Sequence, residues 1–176
     1  KKKKKMQRMK SEQPVGCMME EEEEEMVLMS ANEEKTRGWR KVTCTVDSGS
    51  ADHVAPEEEF EMFKMEESEG SKRGRKYVAA NGGSILNEGE KIVKCLTDRG
   101  APIAITFQMA KVVKPLLSAK KLAKAGHQVI LEDWRPRIVS PQGFTTPIRT
   151  AGGVYVVDLW IRKKYGELNH EGFSRQ

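Results

Sequence analysis

The sequence predicts a mainly β domain, a closed barrel of short strands with one short helix, behind a disordered charged leader. Three observations predict it. Residues 1–38 consist largely of like-charge runs, Lys1 to Lys5 and Glu20 to Glu25, which bury too little apolar surface to offset the entropy of ordering. From Trp39 onward the texture changes to short apolar runs bounded by glycine and proline, the punctuation of strands and turns. A single segment, 115–126, repeats its apolar residues at helical spacing.

Each element has its own signal. KVTCTV (41–46) alternates Val42, Cys44 and Val46 against Thr43 and Thr45, the period of a half-buried strand, and stops at Asp47-Ser48-Gly49. An acidic loop, 56–70, carries Phe60, Met62, Phe63 and Met65, apolar residues able to anchor a helical turn, and is followed by the basic SKRGRK (71–76). Residues 75–96 read as two or three extended pieces, with turns at Asn81-Gly82-Gly83 and around Asn87 to Gly89. IAITFQMAKVV (103–113) is a further strand region. In PLLSAKKLAKAG (115–126), Leu116, Leu117, Leu122 and Ala125 fall on helical spacing, with Pro115 before the start and Gly126 as the stop. HQVILED (127–133), RPRIVS (135–140) and GVYVVDLWI (153–161) complete the strands. The division is a leader over 1–38, a domain over 39–161 and a tail or linker over 162–176.

The chain has 176 residues, enough for one ordinary domain. Its formal charge of +5 favours neither an enzyme nor a binder. The leader is neutral, with nine basic and nine acidic side chains, and the acidic loop 56–70 carries seven acids against Lys64 alone. Residues 77–176 hold 15 basic and eight acidic side chains. Their Lys111, Lys114, Lys120, Lys121 and Lys124 are expected on a solvated face, with no aromatic stacking platform or zinc knuckle beside them. A weak nucleic-acid contact through the basic tail of the leader stays open. No apolar run approaches the roughly 20 residues of a membrane span, and KKKKKMQRMK has no secretory apolar stretch, so an intracellular, cytoplasmic protein without a membrane partner is expected. Cys17, Cys44 and Cys95 form no C-x-x-C pair and are expected as reduced thiols. His127 and His170 have no metal spacing.

The residues that carry chemistry begin with Val46-Asp47-Ser48-Gly49-Ser50-Ala51, an acid placed where an apolar strand ends. A carboxylate that polarises a water needs a rigid strand behind it, a small hydroxyl beside it and a glycine where other backbone approaches closely. Asp47, Ser48 and Gly49 supply these in order. An ordinary Asp-Ser-Gly turn is the plain alternative.

VDSGSADHV (46–54), YVAANGGSI (77–85), VVKPLLSAKKLAKAGHQVILED (112–133) and GGVYVVDLWI (152–161) together resemble the retropepsin-type aspartic proteases. They are most similar to the protease region of copia-type retrotransposon polyproteins. The resemblance covers about residues 39–161 and rests on the order and spacing of the four motifs. It implies a retropepsin-like barrel whose flap hairpin falls at 77–85. It also implies an aspartic endopeptidase that processes the polyprotein from which it derives, with no metal or organic cofactor.

Aspartic proteolysis needs two carboxylates flanking one water, and the chain has one Asp-Ser/Thr-Gly. The second carboxylate is therefore expected from a second copy, in a symmetric homodimer with Asp47 and its mate on the two-fold axis. In the family the hydroxyl beside the catalytic Asp bonds across the pair, a role that falls here to Ser48. Ala80, Asn81, Gly82 and Gly83 are expected over an extended peptide substrate, their glycines permitting turn and motion; an ordinary Asn-Gly surface hairpin is the plain alternative. Asp52 and His53 either line a substrate subsite or hold the loop after Gly49; Asp52 is a candidate substrate-binding residue, and for His53 the structural role comes first. Ser50 stands where alanine is common in the family, and Ser118-Ala119-Lys120 replaces the Gly-Arg of the retroviral branch. A different class stays open beside the enzyme: a catalytically inactive retroelement-derived β-barrel module that binds protein or nucleic acid.

Overall fold

A computed structural model describes residues 37–163. The expected disordered leader and C-terminal tail lie outside the described residues except for Arg37, Gly38, Arg162 and Lys163. The chain separates into two units after Arg37, and the strands and the candidate site all belong to the second.

Strand β1 (Trp39–Asp47) buries Val42 and Cys44 on one face, as its alternation predicts, and Thr45 as well, because the strand is paired along both edges. On one side runs β12 (Val154–Arg162), antiparallel from Trp39↔Arg162 to Thr45↔Val156, and Lys163 N–H extends the ladder to the Gly38 carbonyl at 2.8 Å. On the other side runs β7 (Leu116–Ser118), parallel to β1 with Asp47 opposite Ser118. This corrects the expected helix over 115–126. Leu116-Leu117-Ser118 is a strand and only Ala119–Lys124, labelled α2, is helical. Pairing on β1 puts Leu117 fully into the core, which outweighs the helical spacing of Leu116 and Leu117. Ser118 then caps α2, accepting the Lys121 N–H at 3.0 Å.

The sheet continues through β2 (Val54–Ala55), β6 (Pro102–Met109) and β5 (Gly89–Thr97), and β5 pairs with β12. Since β12 also pairs with β1, six strands close a ring in the order β1, β7, β2, β6, β5, β12, with β11 (Arg149–Ala151) attached to β12. The protein is mainly β. Two small sheets accompany the ring: the hairpin β3 (Lys76–Val78) and β4 (Ser84–Leu86), and a three-stranded sheet of β8 (Gln128–Ile130), β9 (Arg137–Val139) and β10 (Thr145–Pro147). The short strands β2, β7, β10 and β11 were not expected from the sequence, since two or three residues do not establish a period.

The core is built from Val42, Cys44, Val93, Phe107, Met109, Leu117, Leu159 and Ile161 of the ring. Phe60 joins them from the acidic loop, where Glu57–Phe60 forms the expected helical turn as a 3-10 helix, while Met62 stays exposed. A second short helix, α1 (Glu69–Lys72), starts at a capping box of Ser68 and Ser71. Lys91 is a buried cation of β5 whose Nζ donates to the Phe60 carbonyl at 3.1 Å, closing the end of the 3-10 turn.

Candidate active site

Asp47 is the last residue of β1, paired with Ser118 of β7 two residues beyond the point, Thr45, where the ladder to β12 ends. Its carboxylate turns back onto its own loop, Oδ1 accepting the Gly49 N–H at 2.7 Å. A Cβ on residue 49 would stand 3.2 Å from that oxygen, so glycine keeps the carboxylate uncrowded. Asp47 is half-buried, and Ser48 and Gly49 are exposed beside it. The three residues expected to carry the chemistry are thus together, with a rigid strand behind them.

The loop after them is fixed by Ser118. Its Oγ, fully buried, donates to the Ser50 carbonyl at 2.6 Å, and its N–H donates to His53 Nδ1 at 3.0 Å. Ser50 Oγ in turn donates to the Asp52 carbonyl at 2.6 Å. One residue of β7 therefore pins both ends of the loop that begins at Asp47. Burial, followed by the nearby Lys121 charge, pushes the His53 imidazole down to about 4, so at neutral pH Nδ1 is free to accept. His53 holds the loop, as expected for a structural residue.

Asp52 is buried at the far end of the same loop. Its Oδ2 accepts the Tyr77 hydroxyl at 3.0 Å and faces the Arg75 guanidinium at 3.1 Å, while Oδ1 accepts Lys121 Nζ at 3.1 Å. Burial alone would raise this carboxyl, but the hydrogen bonds from Lys121 and Tyr77 and the charges of Lys121 and Arg75 outweigh it and hold the group below the ordinary carboxylate value. Burial and the Asp52 charge push the Tyr77 phenol up to about 12, so it keeps its proton and donates it. The network continues inward. Asn87 Nδ2 donates to the Tyr77 oxygen at 3.0 Å and to Gln108 Oε1 at 2.9 Å, and Gln108 Nε2 donates to Glu90 at 2.9 Å.

Ala80, Asn81, Gly82 and Gly83 form the exposed tip of the β3–β4 hairpin. Gly82 has φ +80°, and Asn81 Oδ1 accepts the Gly83 N–H at 2.9 Å. These bonds are internal to the tip. What links the hairpin to the Asp47 loop is lower down, through Arg75 and Tyr77 to Asp52. Sequence reasoning assigned no role to Tyr77, Arg75 or Asn87. It placed Lys121 with four other lysines on a solvated face, where Lys111, Lys114, Lys120 and Lys124 are indeed exposed, but Lys121 turns to Asp52.

Other chemistries find less here. Among the described residues no group of three or more His, Cys, Asp or Glu side chains stands ready for a metal, and no helix is long and apolar enough to cross a membrane. Cys44 and Cys95 are buried free thiols, and burial pushes both upward, Cys95 to about 12, which makes neither a thiolate nucleophile at neutral pH. Compared with models of known protein families and with curated proteins, the chain matches none.

Proposed function

We propose that the chain is an aspartic endopeptidase of the retropepsin kind, active as a homodimer, with its six-stranded ring read as the retropepsin barrel and its β3–β4 hairpin as the flap. The observation that carries this reading is Asp47 itself: a carboxylate at the end of a doubly paired strand, oriented by the Gly49 N–H, with Ser48 exposed at its side. Buried structural aspartates are enclosed by partners, as Asp158 is by Thr43 and Arg149. Asp47 instead stands half-open beside a loop that β7 holds rigid.

In the proposed reaction, Asp47 and Asp47 of a second copy flank one water. One carboxylate takes a proton from the water as its oxygen bonds to the scissile carbonyl carbon. The other, protonated, donates to the carbonyl oxygen. Collapse of the gem-diol breaks the C–N bond, and a proton passes to the departing amine nitrogen. The pair shares a single proton because two carboxylates so close do not both ionise. The proposed substrates are extended segments of the polyprotein, covered by Ala80, Asn81, Gly82 and Gly83.

The test is cleavage of a peptide library at acidic and neutral pH by the wild-type chain and by Asp47→Asn, with the association state measured by sedimentation. Cleavage by a dimer, lost by at least about a thousandfold in Asp47→Asn, is expected. Cleavage that survives the substitution, or none while a dimer is demonstrably present, overturns the reading.

A further inference from the structure

Among the described residues the hairpin β3–β4 is a two-stranded sheet of its own: β3 pairs only with β4, and neither strand joins the ladder of the ring. An isolated hairpin is marginal in water, and this one exposes Val78 and Leu86 on one face. Main-chain bonds tie only its two ends, Arg75 N–H to the Gly70 carbonyl at 2.8 Å and Glu88 N–H to the Met109 carbonyl at 2.8 Å, so its lean over the Asp47 loop depends on side chains at its base. Tyr77 and Arg75 supply them, and both reach the same group, the Asp52 carboxylate. The third partner of that carboxylate, Lys121, comes from α2, the helix that Ser118 starts.

We propose that Asp52 is a positioning residue that fastens the base of the hairpin to the Asp47 loop and to α2, so that its bonds to Tyr77, Arg75 and Lys121 set how far the hairpin stands open. This rests on reading that loop and hairpin as an active site. Both Asp52 oxygens are occupied, and its side chain is only 12% exposed, which suits a fastening better than a direct substrate contact. The attachment is also poised to release. Its two cations, Arg75 and Lys121, share one carboxylate; without that charge they are left as like charges on opposite sides of the joint. Tyr77 keeps a second tie through Asn87, so loss of Asp52 loosens the hairpin rather than unfolding it. The ring is held by separate ladders.

Hydrogen–deuterium exchange on the full-length chain tests this without any need for activity. Asp52→Asn and, independently, Tyr77→Phe are expected to speed exchange of the amides in 77–86 by about five- to tenfold, the net loss of roughly one ordinary hydrogen bond. Protection of β1 and β12 is expected to stay as in the wild type. Unchanged exchange over 77–86 in folded Tyr77→Phe, or a rise shared equally by β1 and β12, overturns the proposal. Tyr77→Phe removes one hydroxyl, and with it the bonds to both Asp52 and Asn87, and serves if Asp52→Asn does not fold. Where the wild type cleaves a peptide, Asp52→Asn is expected to raise KM about fivefold with kcat within about twofold, the mark of a binding step made less favourable by an open hairpin. A fall in kcat at unchanged KM would place Asp52 in the chemistry and overturn the proposal. If the wild type cleaves nothing while demonstrably dimeric, the protease reading falls, and the exchange experiment still decides the fastening.

Discussion

His53 Nδ1 accepts the backbone N–H of Ser118 at 3.0 Å, and this bond joins the loop after Asp47 to the strand that lies parallel to β1. It exists only while the imidazole is neutral, since a protonated ring carries a hydrogen on that nitrogen. Burial and the Lys121 charge lower the folded value to about 4 from an ordinary 6.5. Because the unfolded chain takes up the proton first, this contribution is fully present above pH 6.5 and is lost as the pH falls toward 4. A loss of roughly 2–3 kcal/mol across that window is expected. Urea unfolding at several pH values measures it, and His53→Gln, which keeps an acceptor but does not titrate, should flatten the dependence between pH 6.5 and 4. An equally steep dependence in His53→Gln would sink the assignment.

Ser118 is the residue through which α2, the Asp47 loop and β7 meet. Its hydroxyl donates to Ser50 and accepts from Lys121, and it is fully buried. Ser118→Ala removes a helix cap and leaves the Ser50 carbonyl without that donor, for an expected loss of about 2–3 kcal/mol. Under the proposed function it should also cut cleavage more than its effect on stability accounts for, since the loop behind Asp47 loosens. Equilibrium unfolding together with kcat/KM checks both, and a stability within about 0.5 kcal/mol of wild type contradicts the role.

How much of this was legible depended on length. β1, β5, β6 and β12 were expected as strand regions because eight or nine residues are enough to show alternation. Leu116-Leu117-Ser118 was misplaced into the helix because its leucines satisfy helical spacing, and the deciding fact, an open edge of β1 beside it, is not local. At the site the same division holds. Asp47, Ser48 and Gly49 are contiguous and stood out from their neighbours. The Asp52 partners are 23, 25 and 69 residues away, and nothing in the spacing of Arg75, Tyr77 and Lys121 marks them as one group. The Leu-Leu-Ser resemblance pointed to the segment that carries Ser118, but not to the two bonds by which it fixes the loop.

Lys91 shows how the acidic loop is secured. The sequence presents it as one polar residue of a strand, yet its side chain is only 2% exposed and donates to the Phe60 carbonyl, with the Glu57 carboxylate at 3.9 Å. Lys91→Ala leaves a cavity and an unpaired buried carbonyl, for an expected loss of about 3 kcal/mol, whereas Lys91→Met keeps the volume and should cost about 1–2 kcal/mol. Faster proteolytic nicking within 57–65 should accompany the first. Urea unfolding of both variants separates the two contributions, and a methionine variant as stable as the wild type would show that the ammonium closes nothing.

Gly82 and Gly89 both have positive φ, +80° and +146°, but they sit in opposite surroundings. A Cβ on Gly82 meets nothing within 4 Å, whereas one on Gly89 would lie 2.6 Å from the Glu66 carbonyl oxygen. That oxygen belongs to backbone already committed to the Glu90 N–H at 2.8 Å, the bridge by which the end of the acidic loop rests on β5. Relief by a side-chain rotation is therefore not available at Gly89. Alanine there is expected to cost about 3 kcal/mol or more, from backbone strain plus displacement of the bridge, while Gly82→Ala carries only the left-handed penalty of about 1 kcal/mol. Paired thermal or urea unfolding of the two variants measures the difference, and similar losses would mean that the acidic loop yields freely over β5.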